Sequence, residues 1–136
     1  MQVVVDTNVF LDILLDRENA DDAEAFFLWC RRYKVKLFIT SMALRDIEYV
    51  AHQRFHDKRI SRDIQIKAYR MTNKVLGISS DSAIEALYQD GDYEDCLLMN
   101  TAQECMLDAI VTNNIKDFQN PKIPAFTPQD IVKIEL

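Results

Sequence analysis

Four aspartates stand where a parallel fold would gather them. Asp6 follows the apolar run Val3-Val4-Val5 directly, and Asp117 comes a short loop after Ala109-Ile110-Val111. Asp46 lies one turn into a helix that follows a second apolar run, and Asp95 lies in the first turn of a later helix. Taken singly, each has an ordinary reading. Asp6 and Asp117 can be turn residues, Asp46 a solvated helix residue, and Asp92 and Asp95 acids that stabilise a helix N-terminus. Taken together, they return to one edge of the sheet. Such a cluster of like charges is costly, and a divalent cation removes the cost. An all-oxygen donor set favours Mg²⁺ or Mn²⁺ over Zn²⁺. A cation of that kind activates water and stabilises charge on a phosphoryl oxygen, so phosphodiester hydrolysis is the chemistry that fits.

Some alternatives stay open at this level. Glu48 lies two residues after Asp46, and on a helix the two point about 200° apart, so only one can face the site. Glu94 beside Asp95 poses a similar choice: one faces the cavity and the other faces solvent or a second metal. His52 and His56 have the i, i+4 spacing of a helical metal pair, but no third ligand accompanies them in a zinc pattern. They read as partly exposed helix residues.

The elements that must position these acids follow from hydrophobic periodicity. Val3–Val5 reads as a buried strand, and Val9, Phe10, Ile13 and Leu14 recur at helical spacing. A helix is expected over 21–32, a strand over 35–39, and a helix over 42–56 capped by Thr40-Ser41. Another helix is expected over 60–74, with Ile64, Ala68 and Met71 as its apolar stripe, and then a strand over 75–78. Ser80-Asp81 caps a helix to Tyr88, and Gly91-Asp92 starts one over 93–106. Ala109–Val111 is a fourth strand, Pro124–Phe126 a short fifth, and Thr127-Pro128 opens a last helical turn. Strands alternate with helices throughout. The expected fold is a single three-layer α/β domain, its mainly parallel sheet of four to five strands flanked by helices.

Composition fits one such domain. The chain has 136 residues, almost half hydrophobic, and only two Gly and three Pro. Its formal charge is −6, which by itself disfavours a nucleic-acid partner. The charge is uneven, however. Residues 51–74 carry seven basic and two acidic side chains, so that segment is +5 and the rest −11. Arg59, Arg62 and Arg70 are the candidates for phosphate contacts, and a solvated helix face is the alternative. Three cysteines without a C-x-x-C pair suit a reducing cytoplasm, with Cys30 and Cys105 read as small core residues. No run of 18 apolar residues is present, so no membrane span is expected. The strand that begins at the first residues leaves no room for a signal peptide. Phe26, Phe27 and Trp29 read as core or dimer contacts.

Four blocks of the sequence resemble the PIN domain, in order. They are "VVVDTNVFLDILLDRE", "FITSMALRDIEYV", "DYEDCLLMNTAQE" and "DAIVTNNIKDF", followed by a closing "IPAFTPQDIV". The resemblance spans essentially the whole chain and is nearest the VapC-type toxins of toxin–antitoxin modules. It implies a metal-dependent endoribonuclease. Asp6, Asp46, Asp95 and Asp117 would form its acidic centre, with Asp6, Asp95 and Asp117 on the metal and Thr7, Asn8, Thr112 and Asn114 in support. It also implies an RNA substrate, a cognate antitoxin and a homodimer. Two departures stand out: the second acid of the family is usually Glu, where this chain has Asp46, and some relatives carry Asp where it has Asn114. These departures favour a second expectation, a PIN-like module that binds RNA or protein without cutting. A phosphate-accepting receiver domain shares the acid after strand one, but it expects paired acids there and a late Lys, and this chain has neither.

Overall fold

Val3, Val4 and Val5 cannot all face one way in a strand, since successive side chains point to opposite faces. In the computed structural model, which describes residues 1–118 and 121–136, all three are fully buried. Val3 and Val5 pack into one apolar layer with Val9, Phe10, Phe26 and Ile39. Val4 packs into the other with Phe38, Leu98, Ala102 and Ile110. A strand buried on both faces belongs in the middle of a parallel sheet. This strand, β1 (Gln2–Val5), lies there.

The other strands are β2 (Lys36–Thr40), β3 (Lys74–Leu76), β4 (Ala109–Val111) and β5 (Ala125–Phe126). The order across the sheet is β3-β2-β1-β4-β5, and every pair is parallel. The chain first builds outward from β1 to β3. It then crosses to the far side of β1 for β4 and β5. With right-handed crossovers, that reversal moves the connecting helices to the other face. Helices α1 (Thr7–Leu14), α2 (Ala20–Tyr33), α3 (Ser41–Phe55), α4 (Lys58–Arg70) and the short α7 (Pro128–Ile131) contribute to the first layer. Helix α6 (Tyr93–Glu104) covers the second, and α5 (Ser80–Tyr88) packs against α6. The expected three-layer fold is therefore present, with five strands.

Several boundaries shift from the sequence expectation for local reasons. Lys74 belongs to β3 rather than to the preceding helix. The chain turns at Met71–Asn73, where Asn73 exchanges hydrogen bonds with Leu37: its N–H donates to the Leu37 carbonyl, and its Oδ1 accepts from the Leu37 N–H, both at 2.8 Å. Helix α5 is capped by Ser79, whose Oγ accepts from Ser82 N–H at 3.0 Å, and not by Ser80-Asp81. Cys105 is exposed where α6 ends, so it is not a core residue. Cys30 is buried, and burial pushes its thiol up to about 12. Phe26, Phe27 and Trp29 are core. No helix of the described residues is long and apolar enough to cross a membrane.

Candidate acid cleft at the sheet edge

The reversal of strand order falls between β1 and β4. In open α/β sheets, the crevice beyond the carboxyl ends of two such strands is where ligands bind. Asp6 and Thr112 are the first residues past these strands. The Asp6 N–H donates to the Val111 carbonyl at 2.9 Å, which extends the ladder by one bond. Its side chain then caps α1, with Oδ1 accepting from Thr7 N–H at 2.8 Å. Its other oxygen accepts from the hydroxyl of fully buried Thr112 at 2.9 Å. That hydroxyl in turn accepts from Asn114 N–H at 3.1 Å. One carboxylate thus ties the start of α1 to the loop after β4.

Two further elements close the cleft. Thr40 ends β2 and caps α3, with Oγ1 accepting from Ala43 N–H at 3.0 Å, which sets the first turns of α3 over the sheet edge. Asp46 lies one turn further on. Asp92 caps α6 by accepting from Asp95 N–H at 3.1 Å, which brings Glu94 and Asp95 to the same edge. The tight entry to α6 uses Gly91 at φ +103°, a conformation that side chains with a Cβ rarely adopt. Asp6, Thr7, Asp46, Glu94 and Asp95 all line one small cleft, with Thr40 and Leu98 beside them. Its volume, about 20 Å³, is room for roughly one water-sized sphere.

Electrostatics marks these groups as neighbours. Burial raises the proton affinity of Asp6, and Asp46 and Asp117 raise it further, against the lowering effect of the Thr112 and Thr7 hydrogen bonds. Burial raises Asp46, opposed by Arg45. Glu94 is raised by desolvation and then by Asp46, Asp92 and Asp6. Asp95 is pushed from 3.8 to about 6 by desolvation, and then by Asp92, Asp6, Asp117 and Glu94.

The other residues singled out by sequence fall in several places. Asp117 ends a 3₁₀ turn (Ile115–Asp117) and does not line the Asp6 cleft. It lines an adjoining cavity of about 260 Å³, which Asp95 also borders. Asp46 faces the cleft, whereas Glu48 is not among its lining residues. Glu94 and Asp95 both line it, Asp95 half-buried and Glu94 exposed to solvent as well. Asn8 is half-buried and outside the lining. Asn114 is exposed and contributes its backbone N–H. Arg59, Arg62 and Arg70 are exposed on α4, and none lines the cleft. Arg70 borders a groove of about 770 Å³ that includes Val35, Lys36 and Asn73. That groove is at the strands' amino-terminal edge, opposite the acids. His52 is half-buried with an unpartnered Nδ1, and its ring meets His56 edge-on at 6.4 Å.

The acids form a shared cleft but not a closed coordination shell. Among the described residues, no three His, Cys, Asp or Glu side chains are gathered tightly enough to hold a metal ion. Both Asp6 oxygens accept hydrogen bonds, and Asp46 Oδ1 stands 3.5 Å from the Arg45 guanidinium. The donor chemistry nevertheless suits a hard cation. The cleft is lined by carboxylates, His and Cys are absent from its lining, and its acids already hold protons more tightly than free ones do. Sequence reasoning missed Asp12, a carboxylate only 2 % exposed within α1. It sits in an apolar run, where an acid ordinarily marks the solvent face, so no signal in the sequence distinguished it.

This arrangement is that of a three-layer α/β domain with an acidic sheet edge, and comparison with known proteins gives its family. A family model described as "PIN domain" matches residues 2–116, and the chain belongs to the PIN-domain family. No curated protein matches it. Among solved structures, a chain of VapBC2 from Rickettsia felis bound to a promoter DNA fragment has a TM-score of 0.69 at 15 % identity, covering 93 % of this chain and 98 % of that one. A chain of DNA-bound VapBC from Salmonella typhimurium has a TM-score of 0.67 at 20 % identity, covering 94 % and 98 %. A toxin–antitoxin complex from Klebsiella pneumoniae has a TM-score of 0.64 at 23 % identity, covering 93 % and 97 %. The fold is thus the one found in VapC-type toxin–antitoxin proteins.

Proposed function

We propose that the protein is a Mg²⁺- or Mn²⁺-dependent endoribonuclease and the toxin of a toxin–antitoxin pair. The observation that carries this reading is the meeting of Asp6, Asp46, Glu94 and Asp95 in one cleft at the strand-order reversal. Asp6 and Asp95 are the principal residues to hold the cation, with Asp117 beside Asp95 in the adjoining cavity. The cation supplies charge neutralisation at the phosphate and lowers the cost of deprotonating water. Thr7 N–H and the Thr112 hydroxyl fix the Asp6 carboxylate in one orientation, so little reorganisation is needed when substrate arrives. Asp46, in the cleft, or Asp117, in the adjoining cavity, takes the proton of the attacking water. The water oxygen attacks phosphorus in line, the bond to the 3′-oxygen breaks, and the departing oxygen takes a proton from solvent. The products carry a 5′-phosphate and a 3′-hydroxyl.

The partners follow from the likeness to toxin–antitoxin complexes. We expect a cognate antitoxin, and a second copy of the chain, against exposed surface. Expression alone should arrest growth, and a small product of the neighbouring gene should relieve it. The purified protein should cleave single-stranded RNA with Mn²⁺, with 5′-phosphate ends, and Asp6→Asn should abolish cleavage. Equal cleavage by that variant assigns the activity to a contaminant.

A second reading has one observation in its favour. The acids are not gathered into a coordination shell among the described residues, as expected of a PIN-like module that binds RNA or protein without cutting it. That reading expects no divalent-cation binding at the cleft.

A further inference from the structure

The buried carboxylate of Asp12 has no part in the chemistry above, yet it is built into the loop that carries that chemistry. It lies in α1, six residues beyond Asp6, with 2 % of its surface exposed. Asn113 Nδ2 donates to its Oδ2 at 2.6 Å. Its Oδ1 faces the Arg17 guanidinium at 3.4 Å, and its backbone carbonyl accepts from Arg17 N–H at 2.9 Å. Asn113 separates Thr112, whose hydroxyl donates to Asp6, from Asn114, whose N–H donates to that same hydroxyl. The residues on both sides of Asn113 thus belong to the hydrogen-bond chain that ends on Asp6, and Asn113 is itself fastened to Asp12. Short exposed loops after a strand are ordinarily mobile. This one is pinned at its midpoint by a partly buried charge-assisted hydrogen bond, the stronger kind.

We propose that Asp12 is a positioning residue for the acid cleft: through Asn113 it holds the loop after β4 so that the Thr112 hydroxyl stays on Asp6. Arg17 completes the device, because it offsets the charge that Asp12 would otherwise bury alone. The α1 helix therefore acts on the site from both of its ends, directly at Asp6 and through the loop at Asp12. The consequence for cation binding rests on the proposed metal-dependent reading. The loop geometry does not.

The test compares Asp12→Ala, Asp12→Asn and Asn113→Ala with the wild type by two readouts. The first is hydrogen exchange of the Asn114 amide, which reports the bond to Thr112 without any metal. Asp12→Ala and Asn113→Ala should each accelerate it tenfold or more, leaving amides of α5 and α6 near their wild-type rates. Asp12→Asn keeps an acceptor for Asn113 and should exchange within about threefold of wild type. The second readout is Mn²⁺ affinity by electron paramagnetic resonance, expected to fall about tenfold in the two alanine variants and to recover in Asp12→Asn. Should Asp12→Ala fail to fold, Asn113→Ala leaves Asp12 its Arg17 partner and asks the same question. Unchanged Asn114 exchange in the folded alanine variants, or acceleration spread evenly over all amides, overturns the proposal and leaves Asp12 a plain stability contact. Faster Asn114 exchange together with no Mn²⁺ binding by the wild type supports the positioning role and overturns the metal reading instead.

Discussion

Substituting Asp95 by Asn should make the metal-free protein more stable, not less. Desolvation and the charges of Asp92, Asp6, Asp117 and Glu94 push the Asp95 carboxyl from 3.8 to about 6. A rise of about two units corresponds to roughly 3 kcal/mol if fully expressed. The side chain is only half-buried, so solvent and salt screen much of it, and about 1 kcal/mol is the expected net cost of the ionised form. The substitution sacrifices little else, because it is the backbone N–H of Asp95, not its carboxylate, that bonds Asp92. The sign of the pH dependence follows. Between 3.8 and about 6 the folded state holds more protons than the unfolded one, so stability from this group is full below 3.8 and is lost as pH rises through 6. Thermal melting in excess chelator should place Asp95→Asn about 3–5 °C above wild type at pH 7.5, for a domain of this size. The gap should narrow to a small fraction by pH 4. A variant no more stable than wild type at pH 7.5, or a gap that widens as pH falls, refutes the claim that this carboxylate is held against its neighbours' charges.

Other perturbations test the local geometry. Thr112→Val keeps the shape of a fully buried side chain but leaves Asp6 Oδ2 and the Asn114 N–H without their partner, so urea denaturation should show a loss of about 1–3 kcal/mol. Ser79→Ala removes the α5 cap and the hydroxyl that donates to Glu104 at 2.7 Å, and should cost about 1 kcal/mol in the same assay. Met106 is exposed and held at φ +53°, so Met106→Gly relieves a left-handed strain and should gain about 0.5–1 kcal/mol after glycine's entropy is counted.

Much of this molecule is legible in its sequence because its strands are short, apolar and separated by capped helices. The triple valine, the Thr40 and Thr127 caps and the Asp92 cap all do what their residue types predict. The placement of Asp6 and Thr112 together follows from the strand order, which alternation of elements does not specify: β1 and β4 are neighbours although 103 residues separate the end of one from the start of the other. Periodicity also could not separate Lys74 from the helix before it, because the stop is a side-chain pairing of Asn73 with Leu37 across the sheet. Asp117 reads like the other acids in sequence, yet the 3₁₀ turn carries it into the neighbouring cavity. Asp12 was invisible for a different reason. Its buried state depends on Asn113, about a hundred residues away, and on a turn that returns Arg17. The basic stretch drew attention by charge alone: Arg59, Arg62 and Arg70 are exposed on α4, and none of them lines the acid cleft.

The central claim is that the carboxylates at this edge hold one divalent cation in the service of RNA cleavage. Calorimetric titration of Mn²⁺ into the protein at pH 7.5, repeated with Asp95→Asn, tests it most directly. A saturable isotherm for the wild type that is lost or at least tenfold weaker in the variant is the predicted result. No binding by the wild type, or an identical isotherm for both proteins, contradicts the account and favours a module that binds its partner without a metal.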